Sequence, residues 1–194
     1  MPDVTAPARR ADARRNADRI LQAAIECLAA DPTASAGAIA KVAGVGRVTL
    51  YAHFETRDKL VEAALTTALA QGDLELRDVQ LPSAPAEALR ALIAASWQQI
   101  ARTGSLIQAA QASLNPGRVT ELHNQHRARV RGLIDAGRVD GSFRTDLPAE
   151  WLVSVLEHIL HGAGGDVADG RLAAGDAAGL VTETVLAAYR PPTA

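Results

Sequence analysis

Apolar residues in this chain recur every three to four positions over most of its length, the spacing of helices with one buried face, and sustained two-residue alternation is absent. Between residues 17 and 30, Ala17, Ile20, Leu21, Ala24 and Leu28 share one face, and Asp31-Pro32 ends the segment because proline cannot continue a helix. Ser35 stands where it can cap a short second helix with Ile39, Ala40 and Ala43 on its inward side. Gly44-Val45-Gly46 forms a three-residue turn, and Arg47 to Phe54 forms a third helix. Thr56 can cap a long fourth helix running through Leu60, Ala64, Ala68 and Gly72 to about Leu76. Beyond the linker Leu81-Pro82-Ser83-Ala84-Pro85, the pattern predicts helices at about 85–102, 105–114, 117–137, 148–162 and 176–189. The expected fold is all-α. An N-terminal arm and three short helices span residues 1–60, and a larger helical domain spans residues 61–194.

Composition supports the helical assignment, since only 3% of residues are aromatic and strand-favouring types are sparse. The lone cysteine, Cys27, cannot form an internal disulfide and fits a reducing compartment. At the margin of the face made by Ile20, Ala24 and Leu28 it reads as a packing residue, with a thiol sensor as the alternative. Arg9, Arg10, Arg14, Arg15 and Arg19 occur early without an apolar block, so no signal peptide is expected there. Charged residues interrupt every apolar stretch before it reaches the ~18 residues of a membrane span, and a soluble cytoplasmic protein is expected. The net charge of −2 hides an asymmetry. Residues 1–60 carry nine Lys/Arg against seven Asp/Glu, and residues 61–194 carry eleven against fifteen, so the basic end is the one expected to meet phosphate.

Helix, short glycine turn and helix is the layout that places a second helix in the major groove, although a hairpin inside an ordinary bundle shares it. At 100° per residue, Leu50 and Phe54 fall together and are expected to pack on Val42 and Val45. Val48, Thr49 and Ala52 point the other way, with Arg47 and Tyr51 on one flank and His53 on the other. The run Ala43-Gly-Val-Gly-Arg-Val-Thr-Leu-Tyr-Ala-His-Phe54, with Thr56-Arg-Asp-Lys-Leu60, Ile39-Ala40 and Ile20-Leu21-x-Ala23-Ala24, resembles the DNA-binding region of TetR-type repressors. Gly141 to Pro148 resembles a segment that often precedes the penultimate helix of that family.

The resemblance implies a repressor that holds double-stranded operator DNA and is released by a small-molecule effector. It further implies that Thr49, Tyr51 and His53 contact DNA, mainly its backbone, that Arg57 reaches phosphate with Lys59 as a second contributor, and that Ser35 meets phosphate as a capping hydroxyl. Arg47 and Val48 match positions that touch bases, where Arg47 suits guanine and Val48 and Ala52 suit thymine methyls. Gly46 replaces the usual Ser or Thr cap, Val48 a smaller residue, and Pro32 the usual glycine.

The C-terminal half has to be read from periodicity. Trp151, Leu152, Val153, Val155, Leu156, Ile159 and Leu160 cover about 200° of helix arc, more than one buried face needs. A homodimer interface including Leu152, Leu156, Ile159, Val181 and Val185 is therefore expected, against a larger monomer core as the alternative. Trp97, Ile100, Leu122, His123, His126 and Trp151 are the candidate walls of an effector pocket. His123 and His126 share the stripe of Val119, Leu122, Val130, Leu133 and Ile134 and are open to three roles: bonded core histidines, a polar anchor for a ligand, or half of a metal site. His158, His161 and Glu157 project onto the polar arc and read as a solvated face. Paired nucleophile and base, phosphate loop and cysteine cluster are all missing, so no cofactor or metal is expected and an enzyme is the weaker alternative. A helical ligand-binding module without DNA binding is the other.

Overall fold

A computed structural model describes residues 5–192, and among them the chain is helical with no strand. The helices are α1 (Thr5–Ala30), α2 (Ala36–Val42), α3 (Arg47–His53), α4 (Arg57–Arg77), α5 (Pro85–Ser113), α6 (Pro116–Leu122), α7 (Asn124–Val139), α8 (Ala149–Ala168) and α9 (Ala174–Tyr189). They form two compact units. The first combines the residues up to Leu69 with Ser105–Val119, and the second combines Ala70–Gly104 with the residues from Thr120 onward. Helices α4 and α5 thus each contribute to both.

In the first unit α1 packs on α2 and α3, and α2 packs on α3. Ile20, Ala24, Leu28, Ile39, Leu50, Leu60, Val61 and Leu65 are fully buried. Each large side chain removed from water in this way contributes roughly 1.5–3 kcal/mol before entropy is charged. The predicted caps form. Ser35 Oγ accepts from the Ala38 N–H at 3.2 Å, and Thr56 Oγ1 accepts from the Lys59 N–H at 3.1 Å.

The second unit is built around Leu89, Ile93 and Trp97 of α5, Ile134 of α7, Leu152, Val153 and Leu156 of α8, and Val181, Val185 and Tyr189 of α9. Tyr189 has no exposed surface, and its hydroxyl donates to the Leu152 carbonyl at 2.5 Å, so its tip is satisfied and burial raises its pKa. Phe143 meets Tyr189 edge to face at 5.4 Å between ring centroids. The loop carrying Phe143 is tied down by Arg144, whose N–H donates to Tyr189 O at 2.8 Å and whose guanidinium donates to Ala188 O at 3.2 Å.

Four boundaries differ from the sequence pattern, the first being the start of α1 at Thr5 instead of residue 17. The segments expected at 85–102 and 105–114 are one helix, because Gly104 costs only about 1 kcal/mol and the buried Trp97, Leu106 and Ile107 on either side hold the helix together. The segment expected at 117–137 is interrupted at His123, where φ −90° and ψ −2° leave the helix without reversing the chain. Helix α8 continues past Gly162 to Ala168, and the chain turns only at Gly170, whose φ of +72° favours glycine.

Gly137 has a different reason to be glycine, since a Cβ there would lie 2.1 Å from Phe143 Cδ2. Gly137→Ala is expected to destabilise the chain by about 1–3 kcal/mol through overpacking, seen as a lower urea midpoint at unchanged slope. Gly132→Ala, with open space at its Cβ position, is the control expected to show no loss. Equal midpoints for the two variants would rule out this account of the Phe143 contact.

Candidate nucleic-acid interface and histidine cluster

The turn between α2 and α3 is fixed by backbone and side-chain bonds together. Val45 N–H donates to Ala40 O at 3.0 Å and Gly44 N–H to Lys41 O at 3.2 Å, the paired closure of a helix C-terminus that needs a left-handed residue at its centre. Gly44 supplies it with φ +65°. Arg19 of α1 then donates to Ala43 O at 2.6 Å and to Gly44 O at 3.1 Å, so a guanidinium holds carbonyls left over at the end of α2. Early arginines read simply as basic residues give no hint of this role for Arg19. Arg9 and Arg10 of the same arm lie outside the residues whose side chains are described.

Leu50 anchors α3 with no exposed surface, which turns the rest of the helix outward. Arg47, Val48, Tyr51 and Ala52 are exposed, Val48 to 86%, while Thr49, His53 and Phe54 are half-buried. Ser35 and Lys59 are exposed as well, Lys59 lying 3.5 Å from Glu62. Val45 is half-buried, but Val42 is 57% exposed, so the expected packing of Leu50 and Phe54 on Val42 is not the arrangement found. α2 is only two turns long, and its inward side is already taken by Ile39 and Ala40.

Arg57 is placed apart from the other residues expected at DNA. Its side chain turns into the first unit, where the guanidinium donates to Ser113 Oγ at 2.9 Å, Pro32 O at 3.1 Å and Ala34 O at 3.4 Å. In this conformation Arg57 ties the α1–α2 connection to the end of α5 instead of reaching for phosphate. Glu62 of α4 is likewise bonded by Arg118 of α6 at 2.6 Å, which together with Lys59 holds its carboxyl below the usual range.

Three histidines gather in the second unit. The His123 ring lies 6.4 Å from that of His126 and 6.1 Å from that of His161 between centroids. His126 Nε2 is 3.4 Å from Asp73 Oδ1 of α4. Burial lowers the pKa of His126 against the opposing pull of Asp73, and burial, helped by His123 and His158, brings His161 down to about 4. His161 is therefore not on a solvated face, and neither is Glu157, which is half-buried and bonded by Arg127. His158 is exposed as expected. Asp73 and Ser113 carried no sequence signal, because only the fold brings them to their partners. Among the described residues no group of three or more His, Cys, Asp or Glu is arranged to hold a metal ion.

The remaining candidates separate by burial. Trp97 is buried and Ile100, Leu122, His123 and His126 are half-buried, but Trp151 is 57% exposed and so is not an interior wall within this chain. Leu152, Leu156, Val181 and Val185, expected at a dimer interface, are at most 3% exposed and lie in the chain's own core, with Ile159 packed beside them. The inner arc of α8 already meets α7 and α9, leaving Trp151 and, on α9, the 53% exposed Leu180 on the outside.

A buried short helix followed by a fixed turn and an outward-facing second helix defines the N-terminal unit as a helix-turn-helix of the kind found in DNA-binding regulators. Residues 20–64 match the family of bacterial regulatory proteins described as the tetR family. A curated relative, the HTH-type transcriptional repressor KstR2 of Rhodococcus jostii (strain RHA1), is 28% identical over 120 residues, covering 58% of this chain and 59% of that repressor's length. The structure of the fatty acid degradation regulator FadR from Bacillus halodurans superposes with a TM-score of 0.70 at 19% identity, covering 89% of this chain and 99% of the other. That of the ketosteroid transcriptional regulator KstR2 of Mycobacterium tuberculosis does so with a TM-score of 0.67 at 21% identity, covering 91% and 95%. No helix among the described residues is long and apolar enough to cross a membrane.

Two outcomes are expected. Arg57→Ala should lower thermal stability by the equivalent of about 1–3 kcal/mol, because it leaves part-buried acceptors unpaired, while Lys59→Ala, a surface pair, should change it by less than about 0.5 kcal/mol. Similar melting temperatures for the two variants would remove Arg57 from its structural role. The second concerns pH. Folded His161 titrates near 4 and an unconstrained imidazole near 6.5, so between those values the unfolded state binds more protons and stability rises with pH. His161→Gln should flatten this rise in denaturation midpoints taken from pH 4 to 6.5, and an unaltered slope would place His161 outside the buried cluster.

Proposed function

We propose that the chain is a homodimeric repressor that binds operator DNA through α3 and releases it when a small molecule occupies the second unit. The observation that carries this is the division of α3 into a fully buried Leu50 and an outward set of Arg47, Val48, Tyr51 and Ala52. Small exposed side chains let the helix backbone approach base edges, and the longer flanking donors reach phosphates. Thr49, Tyr51, His53, Lys59 and Ser35 are assigned to the DNA backbone, and Arg47 and Val48 to base edges. DNA binding resides within residues 1–60, effector binding and dimerisation within 61–194, and the protein acts in the cytoplasm by binding, without catalysis or a cofactor.

The dimer partner is met by the outer faces of α8 and α9, through Trp151 and Leu180, since the side chains first expected there are consumed internally. A dimer matches half-sites spaced about 34–36 Å apart on one face of the duplex. The effector lies beside Trp97, Ile100 and Leu122, with His126 as its polar anchor and His123 next to it. Binding releases DNA because the effector prefers a conformation in which the two recognition helices no longer match successive major grooves.

Selection of bound duplexes from a random pool should return an inverted repeat, and affinity for it should fall steeply with salt as counterions are released. Tyr51→Phe should weaken binding severalfold at every sequence, while Arg47→Ala should also relax preference at one position. Failure to enrich any duplex would sink this function. Trp151→Glu combined with Leu180→Glu should give monomers in light scattering with a retained fold and weakened operator binding, and an intact dimer would place the interface elsewhere.

A further inference from the structure

The histidine cluster specifies what kind of ligand it accepts. We propose, resting on the effector assignment above, that the ligand is a neutral, mostly apolar molecule carrying a hydroxyl group that donates to Nδ1 of His126.

The assignment begins with the proton on the imidazole. Asp73 faces His126 Nε2 at 3.4 Å, and a carboxylate has only lone pairs to offer, so the ring nitrogen facing it carries the N–H. In the neutral ring Nδ1 is then the acceptor. That atom is buried and has no hydrogen-bond partner among the described residues. A buried acceptor without a partner is costly, and a donor brought by a ligand removes that cost.

The surroundings decide the ligand's charge. Burial keeps His126 and His161 in their neutral forms at neutral pH, so neither offers a positive charge. Of the nearby cations, Arg127 is bonded to Glu157 and Glu150, and Arg129 donates with both terminal nitrogens to Leu76 O at 3.1 Å. Asp73 and Glu157 contribute negative charge from α4 and α8, and the exposed His158 is turned to Ser154 O at 2.7 Å. A carboxylate or phosphate placed at Nδ1 of His126 would set lone pair against lone pair beside the carboxylates of Asp73 and Glu157. A hydroxyl meets an acceptor already oriented by Asp73. The half-buried Ile100, Val130 and Leu133 supply apolar surface in the same unit.

The test uses the full-length protein with isotope-labelled histidine and nuclear magnetic resonance of the ring nitrogens. Without ligand, His126 should show the tautomer protonated at Nε2, and a proton on Nδ1 would overturn the proposal outright. Phenol, anisole and benzoate, matched in ring and differing in the substituent, are then titrated at pH 7. Phenol should shift His126 Nδ1 and bind about tenfold more tightly than anisole, which lacks the donor, and benzoate should leave the nitrogen unchanged. In His126→Phe the preference for phenol over anisole should vanish. A stronger response to benzoate than to phenol, or no response to phenol, would overturn the proposal, and these wild-type arms stand even if the variant fails to fold. Duplex selection is independent of all of them, so a chain that binds no DNA would defeat the regulatory function and leave this ligand assignment to be judged by its own resonances.

Discussion

A seven-residue helix cannot support itself in water, where isolated helices shorter than about 12–15 residues are marginal even with favourable composition. Helix α3 is also opened by Gly46, which offers no side-chain bond to its first N–H groups. Its stability comes from Leu50, buried completely against the first unit, and from the turn that delivers it. That turn depends on Gly44 in a left-handed conformation and on Arg19, which crosses from α1 to take two carbonyls. Every outward residue of α3 inherits its direction from these three contacts. A residue that never approaches a ligand can therefore control the recognition surface by positioning it.

The second unit obeys a related constraint. Helix α8 is apolar over more of its circumference than one contact can cover, and the arc bearing Leu152, Val153 and Leu156 is spent on α7 and α9. What remains outside includes Trp151, with 57% of its surface exposed, and beside it α9 leaves Leu180 uncovered. Surplus apolar surface on these helices is the physical ground on which the proposed dimer contact rests. Tyr189 closes the arrangement from within, since its hydroxyl and ring fix the end of α9 against α8 and Phe143 at once.

Which parts were legible in the sequence follows from the range of the interactions. Ser35 and Thr56 cap their helices because capping is a contact across three residues, fully visible in a linear chain. The layout of helix, turn and helix is visible for the same reason, and the run from Ala43 to Leu60 adds the resemblance that sets it apart from an ordinary hairpin. The break at His123 was invisible because a single residue at φ −90°, ψ −2° hardly changes the phase of the stripe from Val119 to Ile134, so periodicity continues across it. Periodicity also shows that an arc is apolar without showing what covers it, and so it points Leu152 and Val185 to a partner although their own chain buries them. Arg57 and His161 depend on residues 56 and 38 positions away, Ser113 and His123, and only the folded chain brings those pairs together.

On the proposed function, a ligand has to alter the first unit from the second, and the chain itself limits how. Helix α5 begins in the second unit and ends in the first at Ser113, where its hydroxyl accepts from Arg57 at 2.9 Å. Helix α6 carries Arg118 in the first unit, bonded to Glu62, before the chain returns at Thr120 to the second unit and the histidines. Both contacts land on α4, the first at its opening residue and the second within its next two turns. On that function, movement of α5 or α6 is passed to α4 through the bonds of Arg57 and Arg118. Breaking the part-buried Arg57 bond costs on the order of 1–3 kcal/mol, which is the size of coupling ordinarily found between an effector site and a second site. Arg57 adds the α1–α2 connection through Pro32 and Ala34, so its guanidinium joins α4, the end of α5 and the entry to the helix-turn-helix at a single point. In this chain the position where the resemblance implies a phosphate contact is the one the structure uses to hold those three segments in register.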